Sequence, residues 1–255
     1  MTNLNGKIAL ITGGSRGLGR NAAEHLADAG ADVIITYVRS GGAADEAVQH
    51  LQAKGVRAAA LQVDLTGAGS LTSFKDDVAR QLKAWGSESF DILVNNAGIS
   101  SNEAFGDITE SELDTIYNTN FKSLVLLTQA LEPYLRDGGR VITMGTGLTR
   151  TAAAPGMVVY AAMKAAVETF TKYLAQTLGP RGITVNALAP GGIDNDFNAD
   201  RFEAMPQLRD ILTSHTALGR IGRTEDIGPI TAFLASDAAG WITGQRIEAS
   251  GGFKL

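Results

Sequence analysis

Ile8-Ala9-Leu10-Ile11-Thr12-Gly13-Gly14-Ser15-Arg16-Gly17-Leu18-Gly19 passes from a short apolar run into a cluster of glycines. An aliphatic, β-branched run that stops at glycine predicts a buried strand over 8–12. The stretch after it, to residue 29, reads as a helix. Glycines permit a tight turn and close backbone approach, and a helix N-terminus offers free N–H groups to an anion. Strand, glycine turn and helix in this order make a phosphate-binding βα unit. The spacing is G-x-x-x-G-x-G, so the G-x-G-x-x-G fingerprint is not met literally. The segment also satisfies G-x-S-x-G around Ser15, the nucleophile elbow of a hydrolase, with His215 downstream. Only one strand precedes Ser15, which leaves no earlier loop to complete an oxyanion hole.

The alternation continues outward from this unit. Strands are expected over 33–37, 57–63, 90–94, 140–144, 183–188 and 245–249. Helices are expected over 43–54, 71–85, 119–136, 158–178 and 224–235. Repeated βα units predict an α/β Rossmann fold, a doubly wound parallel sheet of about seven strands with helices on both faces. No linker, repeat or low-complexity tract interrupts it, so residues 1–255 read as one catalytic domain. Residues 193–215 break the pattern, as a substrate lid would. The helices at 120–136 and 158–178 are apolar on more than one face, which implies a homodimer or homotetramer formed through them.

Composition narrows the class. Hydrophobic residues at 44% and charged residues at 19% describe an ordinary globular chain, and a net charge of -5 argues against a nucleic-acid surface. Cysteine is absent, which excludes thiol nucleophiles and thiolate metal sites. His25, His50 and His215 lie far apart, so no metal is expected. The first residues lack the basic and apolar regions of a signal peptide, and no apolar run spans a membrane. The expectation is a cytoplasmic protein.

A Rossmann unit selective for NAD places an acid about 20 residues after the glycines, on the ribose 2′-hydroxyl. That place here is Thr36-Tyr37-Val38-Arg39-Ser40, with no acid and one arginine. Arg39 and Arg16 suit a 2′-phosphate, so NADP(H) is favoured over NAD(H). Asp64 closes the third strand, where a carboxylate meets an adenine amino group or caps a helix.

Tyr160 and Lys164 stand four residues apart, on one face of the 158–178 helix. A nearby ammonium favours the phenolate and is expected to lower the phenol pKa. Taken together, Thr12-Gly13-x-x-x-Gly17-x-Gly19, Asn95-Asn96-Ala97-Gly98, Asn120, Tyr160-x-x-x-Lys164 and Pro190-Gly191 resemble the short-chain dehydrogenase/reductase family over essentially the whole chain. The resemblance implies hydride transfer between nicotinamide and a carbonyl or secondary alcohol. Tyr160 would be the general acid/base, and Lys164 would lower its pKa and hold the ribose. Asn120 would support a proton-relaying water. The cofactor would lie on Gly13, Ser15, Arg16, Gly17, Leu18, Gly19, Tyr37, Arg39, Ser40, Asp64 and Leu65. It would continue along Asn96, Ala97, Gly98, Tyr160, Lys164, Pro190, Gly191 and Ile193.

Three departures from the family pattern stand out. The serine that usually follows the fifth strand is replaced by Thr146, in a loop one residue longer than usual. Thr146 is expected to do the serine's work, with Ser100 or Thr149 as alternative donors and a catalytically impaired dinucleotide-binding scaffold as the alternative function. Asn195 replaces the threonine usual after the proline-glycine pair. Asp194, Asp196 and Asp200 make the 193–215 segment acidic, which disfavours anionic substrates.

Overall fold

Alternation along each strand decides which way the chain packs. In the computed structural model, which describes residues 2–64 and 68–255, Ile8 and Leu10 enter one apolar cluster and Ala9 and Ile11 the other. Successive side chains of a strand point to opposite faces, so a strand apolar at every position is covered on both sides. Seven parallel strands share one sheet: β1 (Ile8–Ile11), β2 (Asp32–Tyr37), β3 (Ala58–Gln62), β4 (Phe90–Asn95), β5 (Leu135–Met144), β6 (Thr184–Pro190) and β7 (Arg246–Ala249). Their order is β3-β2-β1-β4-β5-β6-β7. The register runs Ile8↔Asp32 between β1 and β2, and Ala9↔Ile92 between β1 and β4. The order reverses between β1 and β4, and a crevice opens at such a switch point.

The helices are α1 (Gly17–Asp28), α2 (Gly41–Ala53), α3 (Ala68–Ala84), α4 (Glu110–Tyr117), α5 (Ser123–Leu131), α6 (Leu148–Thr151), α7 (Val158–Leu178), α8 (Ala199–Ala204), α9 (Leu208–Ser214) and α10 (Gly228–Ala235). Leu26 of α1, Leu51 of α2 and Leu234 of α10 pack into the cluster on one face of the sheet. Phe74 and Leu82 of α3, Leu131 of α5 and Leu178 of α7 fill the other. Burying one such side chain contributes about 1.5–3 kcal/mol, so both helical layers are held chiefly by their contact with the sheet. The architecture is the expected doubly wound one.

Several boundaries differ from expectation. The helix expected from 119 starts nine residues earlier, at Glu110, where the Thr109 hydroxyl accepts the Glu112 N–H at 3.2 Å. Thr109-x-x-Glu112 is a capping signal that the sequence carries. That helix passes through a π-type turn at Asn118–Lys122 before α5 begins. β5 starts at Leu135 across a register irregularity facing Phe90 and Ile92. Residues 193–215 hold α8, α9 and a 3₁₀ turn at Asp196–Asn198. The helix expected from 224 is a 3₁₀ turn, Thr224–Asp226, followed by α10 with proline in its first turn.

Candidate active site

The loops after β1 to β6 enclose a cleft of about 730 Å³ at the carboxyl ends of the strands. Its floor is fixed by Thr12 and Asn96. The Thr12 hydroxyl accepts the N–H groups of Asn96 and Ala97, each at 2.9 Å, while Asn96 Nδ2 donates to the carbonyls of Thr12 and Gly13. These bonds lock the turn after β1 to the turn after β4. Asn96 thus spends its amide on the scaffold. A Cβ on Gly13 would stand 3.2 Å from Ala97 Cα, and Gly13 adopts φ +65°, so only glycine fits this turn. Gly19 does not line the cleft; a Cβ there would lie 2.3 Å from the Gly13 carbonyl oxygen. Its part is close packing of α1 under the turn.

Ser15, Arg16, Gly17 and Leu18 line the cleft after β1; Tyr37, Arg39 and Ser40 after β2; Asp64 after β3. Among the described residues, Arg16 and Arg39 make no ion pair. Asp32 sits at the opposite end of β2, bound to Arg57 at 2.7 Å. Asp45 and Glu46 are not on the cleft wall. This end of the cleft therefore presents two exposed guanidinium groups and no carboxylate at the tip of β2. Leu65 lies outside the described residues. His215 does not reach the cleft; its ring lies beside Phe253, with Nδ1 2.8 Å from the Ile211 carbonyl.

At the other end Gly98, Thr146, Tyr160, Lys164, Pro190, Gly191 and Ile193 converge. Helical spacing brings Tyr160 and Lys164 together, with Lys164 Nζ 5.8 Å from the Tyr160 ring centroid. Tyr160 is 7% exposed and Lys164 3%. Burial pushes the Tyr160 phenol up to about 12, while the Thr146 side chain and the positive charge of Arg201 pull it down. On balance burial outweighs the pull of Thr146 and Arg201, so the phenol lies above its ordinary value and not below it. Burial also lowers Lys164 to about 8, opposed by the carboxylate of Glu168, and its ammonium donates to the Met144 carbonyl at 2.7 Å.

Thr146 is buried on the same cleft wall as Tyr160, and its side chain favours the phenolate of Tyr160. Thr149 points elsewhere: its hydroxyl donates to the Thr146 carbonyl at 3.0 Å and contacts Glu168 at 2.9 Å. Ser100 is not on the cleft wall. Of the three candidate donors, Thr146 alone faces the tyrosine among the described residues. Arg246 steadies this loop from behind, donating to the Thr146 carbonyl and to Glu168, each at 3.0 Å. Asn120, fully buried in the π-type turn, exchanges two hydrogen bonds of 2.8 Å with the backbone of Ile99. Its side chain is thereby spent on the loop after β4 and does not line the cleft. Turns of this type recur at functional sites because they release backbone groups from the helical ladder.

The sequence reading missed Arg201 and Phe197. Phe197 faces Tyr160 at a centroid distance of 5.8 Å, and Arg201 lines the same wall. The acidity expected of this segment reaches the cleft only in part. Asp194 is bound to Arg209 at 2.6 Å, Asp200 lies off the cleft, and only Asp196 of the three lines it. Helical spacing between Phe197 and Arg201 was the available signal, hidden by the irregular sequence around them.

Comparison with known proteins fixes the class. The family model for enoyl-(acyl carrier protein) reductase matches residues 13–254. The chain belongs to the short-chain dehydrogenase/reductase family and is an oxidoreductase acting on CH–OH and C=O groups. The hydroxynaphthalene reductase of Aspergillus fumigatus is 35% identical over 252 residues, covering 95% of this chain and 90% of that protein. The angucycline C-6 ketoreductase LanV, solved with bound NADP, superposes with a TM-score of 0.94 at 38% identity, over 99% of this chain and 97% of its own. A short-chain dehydrogenase of Burkholderia cenocepacia, in complex with NADP, gives 0.89 at 39% identity, over 98% of each chain.

Proposed function

We propose that this protein is an NADP(H)-dependent ketoreductase in which Tyr160 is the general acid/base. The carrying observation is the convergence of Thr146, Tyr160 and Lys164 on the wall of one cleft that the glycine turns after β1 and β4 also line. The cleft fits a dinucleotide: the floor at Gly13 and Gly98 is kept free of side chains, and a Cβ on Gly98 would press within 3.0 Å of Asn120 Oδ1. Arg16 and Arg39 would hold the 2′-phosphate, Asp64 the adenine, and Lys164 the ribose. Ile193 and Pro190-Gly191 would meet the carboxamide. NADPH supplies the hydride when bound.

A phenol held near 12 remains protonated at neutral pH, the state that an acid protonating a carbonyl oxygen must hold. Thr146 would donate a second hydrogen bond to that oxygen and stabilise the charge developing on it. Lys164, charged at neutral pH, lowers the cost of the transient phenolate left on Tyr160. The π-type turn at Asn120 would support the water that returns the proton. NADP is the ligand in LanV and in the Burkholderia structure, and the guanidinium groups of Arg16, after β1, and Arg39, after β2, favour the same choice here.

Titration with NADPH and NADH, read by nicotinamide fluorescence, tests the cofactor reading. NADPH is expected to bind more tightly, and Arg39→Ala to weaken it roughly 10–100-fold, as loss of a charge-assisted hydrogen bond does, without affecting NADH. Tighter NADH binding would overturn the assignment of Arg39.

The exposed Tyr173 of α7, 70% accessible in the single chain, supports assembly into a homodimer or homotetramer through α5 and α7. Light scattering of wild type and Tyr173→Glu tests this. Among the described residues no helix is long and apolar enough to cross a membrane, and the reading is a cytoplasmic enzyme.

A further inference from the structure

The 193–215 segment carries two arginines with opposite surroundings. Arg209 is consumed: it binds Asp194 at 2.6 Å and lies over the Phe202 ring at 4.2 Å. Arg201 is half-buried on the cleft wall, and among the described residues its side chain makes no ion pair or hydrogen bond. Asp196, on the same wall, does not pair with it. A partly desolvated guanidinium without a partner is costly, and the cost is recovered when an oxyanion meets its planar fork. Phe197, four residues earlier, presents its ring to the cleft beside Tyr160. A flat ring system gains from packing against such a face.

We infer that Arg201 and Phe197 together form a substrate-recognition site for a planar, ring-fused ketone bearing an oxyanion, either a carboxylate or an ionised acidic hydroxyl. This deepens, and rests on, the ketoreductase reading. The charge of Arg201 acts on the Tyr160 hydroxyl, so an oxyanion held by Arg201 also keeps the carbonyl close to its proton donor. Of the three aspartates, Asp194 is neutralised by Arg209 and Asp200 lies off the wall, which leaves Asp196 as the one carboxylate among them that Arg201 must outweigh there.

The test uses the full chain with NADPH and two series of bicyclic aryl ketones. One series compares carboxylates with their methyl esters; the other compares acidic hydroxyls with their methyl ethers. Wild type is expected to favour the charged member of at least one series by about tenfold or more in kcat/KM. Arg201→Met is expected to reduce that ratio by roughly 10–100-fold, and Arg201→Lys to retain part of it. The series that shows the effect identifies the oxyanion. A ratio that Arg201→Met leaves unchanged overturns the inference. So does a fall in NADPH affinity equal to the fall in kcat/KM, which would make Arg201 a cofactor clamp. Binding of the same pairs to the NADPH complex, read by nicotinamide fluorescence, separates the two readings. Charge-selective binding lost in Arg201→Met, without NADPH oxidation, supports the recognition site and overturns the ketoreductase. Reduction without charge preference does the reverse.

Discussion

At the β1–β3 end the cleft is walled by backbone: the turn at Gly13 to Leu18, clasped by Thr12 and Asn96, against exposed arginines. At the β5–β6 end it is walled by side chains, Thr146, Tyr160, Lys164, Phe197 and Arg201, drawn from three separate segments. The first arrangement depends on what glycine omits, and the second on what buried polar groups supply. Substitutions should therefore act differently at the two ends. Changes at the β1–β3 end should alter folding and cofactor affinity, whereas changes to the reacting side chains Thr146 and Tyr160 should alter turnover.

The largest expected effect is at Tyr160. Tyr160→Phe keeps the ring and removes the proton, and should lower kcat about 10²–10⁴-fold, with NADPH affinity nearly unchanged by fluorescence titration. A parallel loss of affinity would show that the two ends do not act separately. Thr146→Ala should cost about 10²-fold in kcat, while Thr146→Ser retains most activity. Full turnover in Thr146→Ala would remove the residue from the mechanism.

Lys164 sharpens the comparison through stability. Burial lowers it from 10.5 to about 8, so between these values the folded chain binds fewer protons than the unfolded one. Its contribution to stability therefore rises with pH across that window. Relative to Lys164→Met, wild type should carry a penalty of about 3 kcal/mol below pH 8 that shrinks towards pH 10. Urea unfolding of both proteins from pH 7 to 10 measures it, and parallel curves would contradict the burial of a charged ammonium. The range stops at 10 because Tyr160, raised from 10.0 to about 12, then acts in the opposite sense.

The smallest effects compare two glycines. Gly19→Ala places a Cβ 2.3 Å from the Gly13 carbonyl oxygen. It should destabilise by about 1–3 kcal/mol despite alanine's helix propensity, and weaken NADPH binding as the turn shifts. Gly42→Ala, in α2 with no atom within 4 Å of the new Cβ, should stabilise by about 0.4–1 kcal/mol. Equal effects at the two positions would show that Gly19 is not a packing contact.

The amino-acid sequence alone determined the alternating sheet and helices, the glycine turn after β1, the absence of an acid at the tip of β2, and the pairing of Tyr160 with Lys164. Each is a local periodicity or spacing, and backbone geometry converts spacing directly into a shared face or a tight turn. Thr109-x-x-Glu112 was legible in the same way and marks where α4 begins. Only the tertiary structure decided that burial holds the Tyr160 phenol high, and that Thr149 turns away while Thr146 faces the tyrosine. It also decided that Arg209 takes up Asp194 and leaves Arg201 on the cleft wall. These outcomes depend on how much water each group loses and which distant partner it meets, and both are set by the packing of segments far apart in the chain.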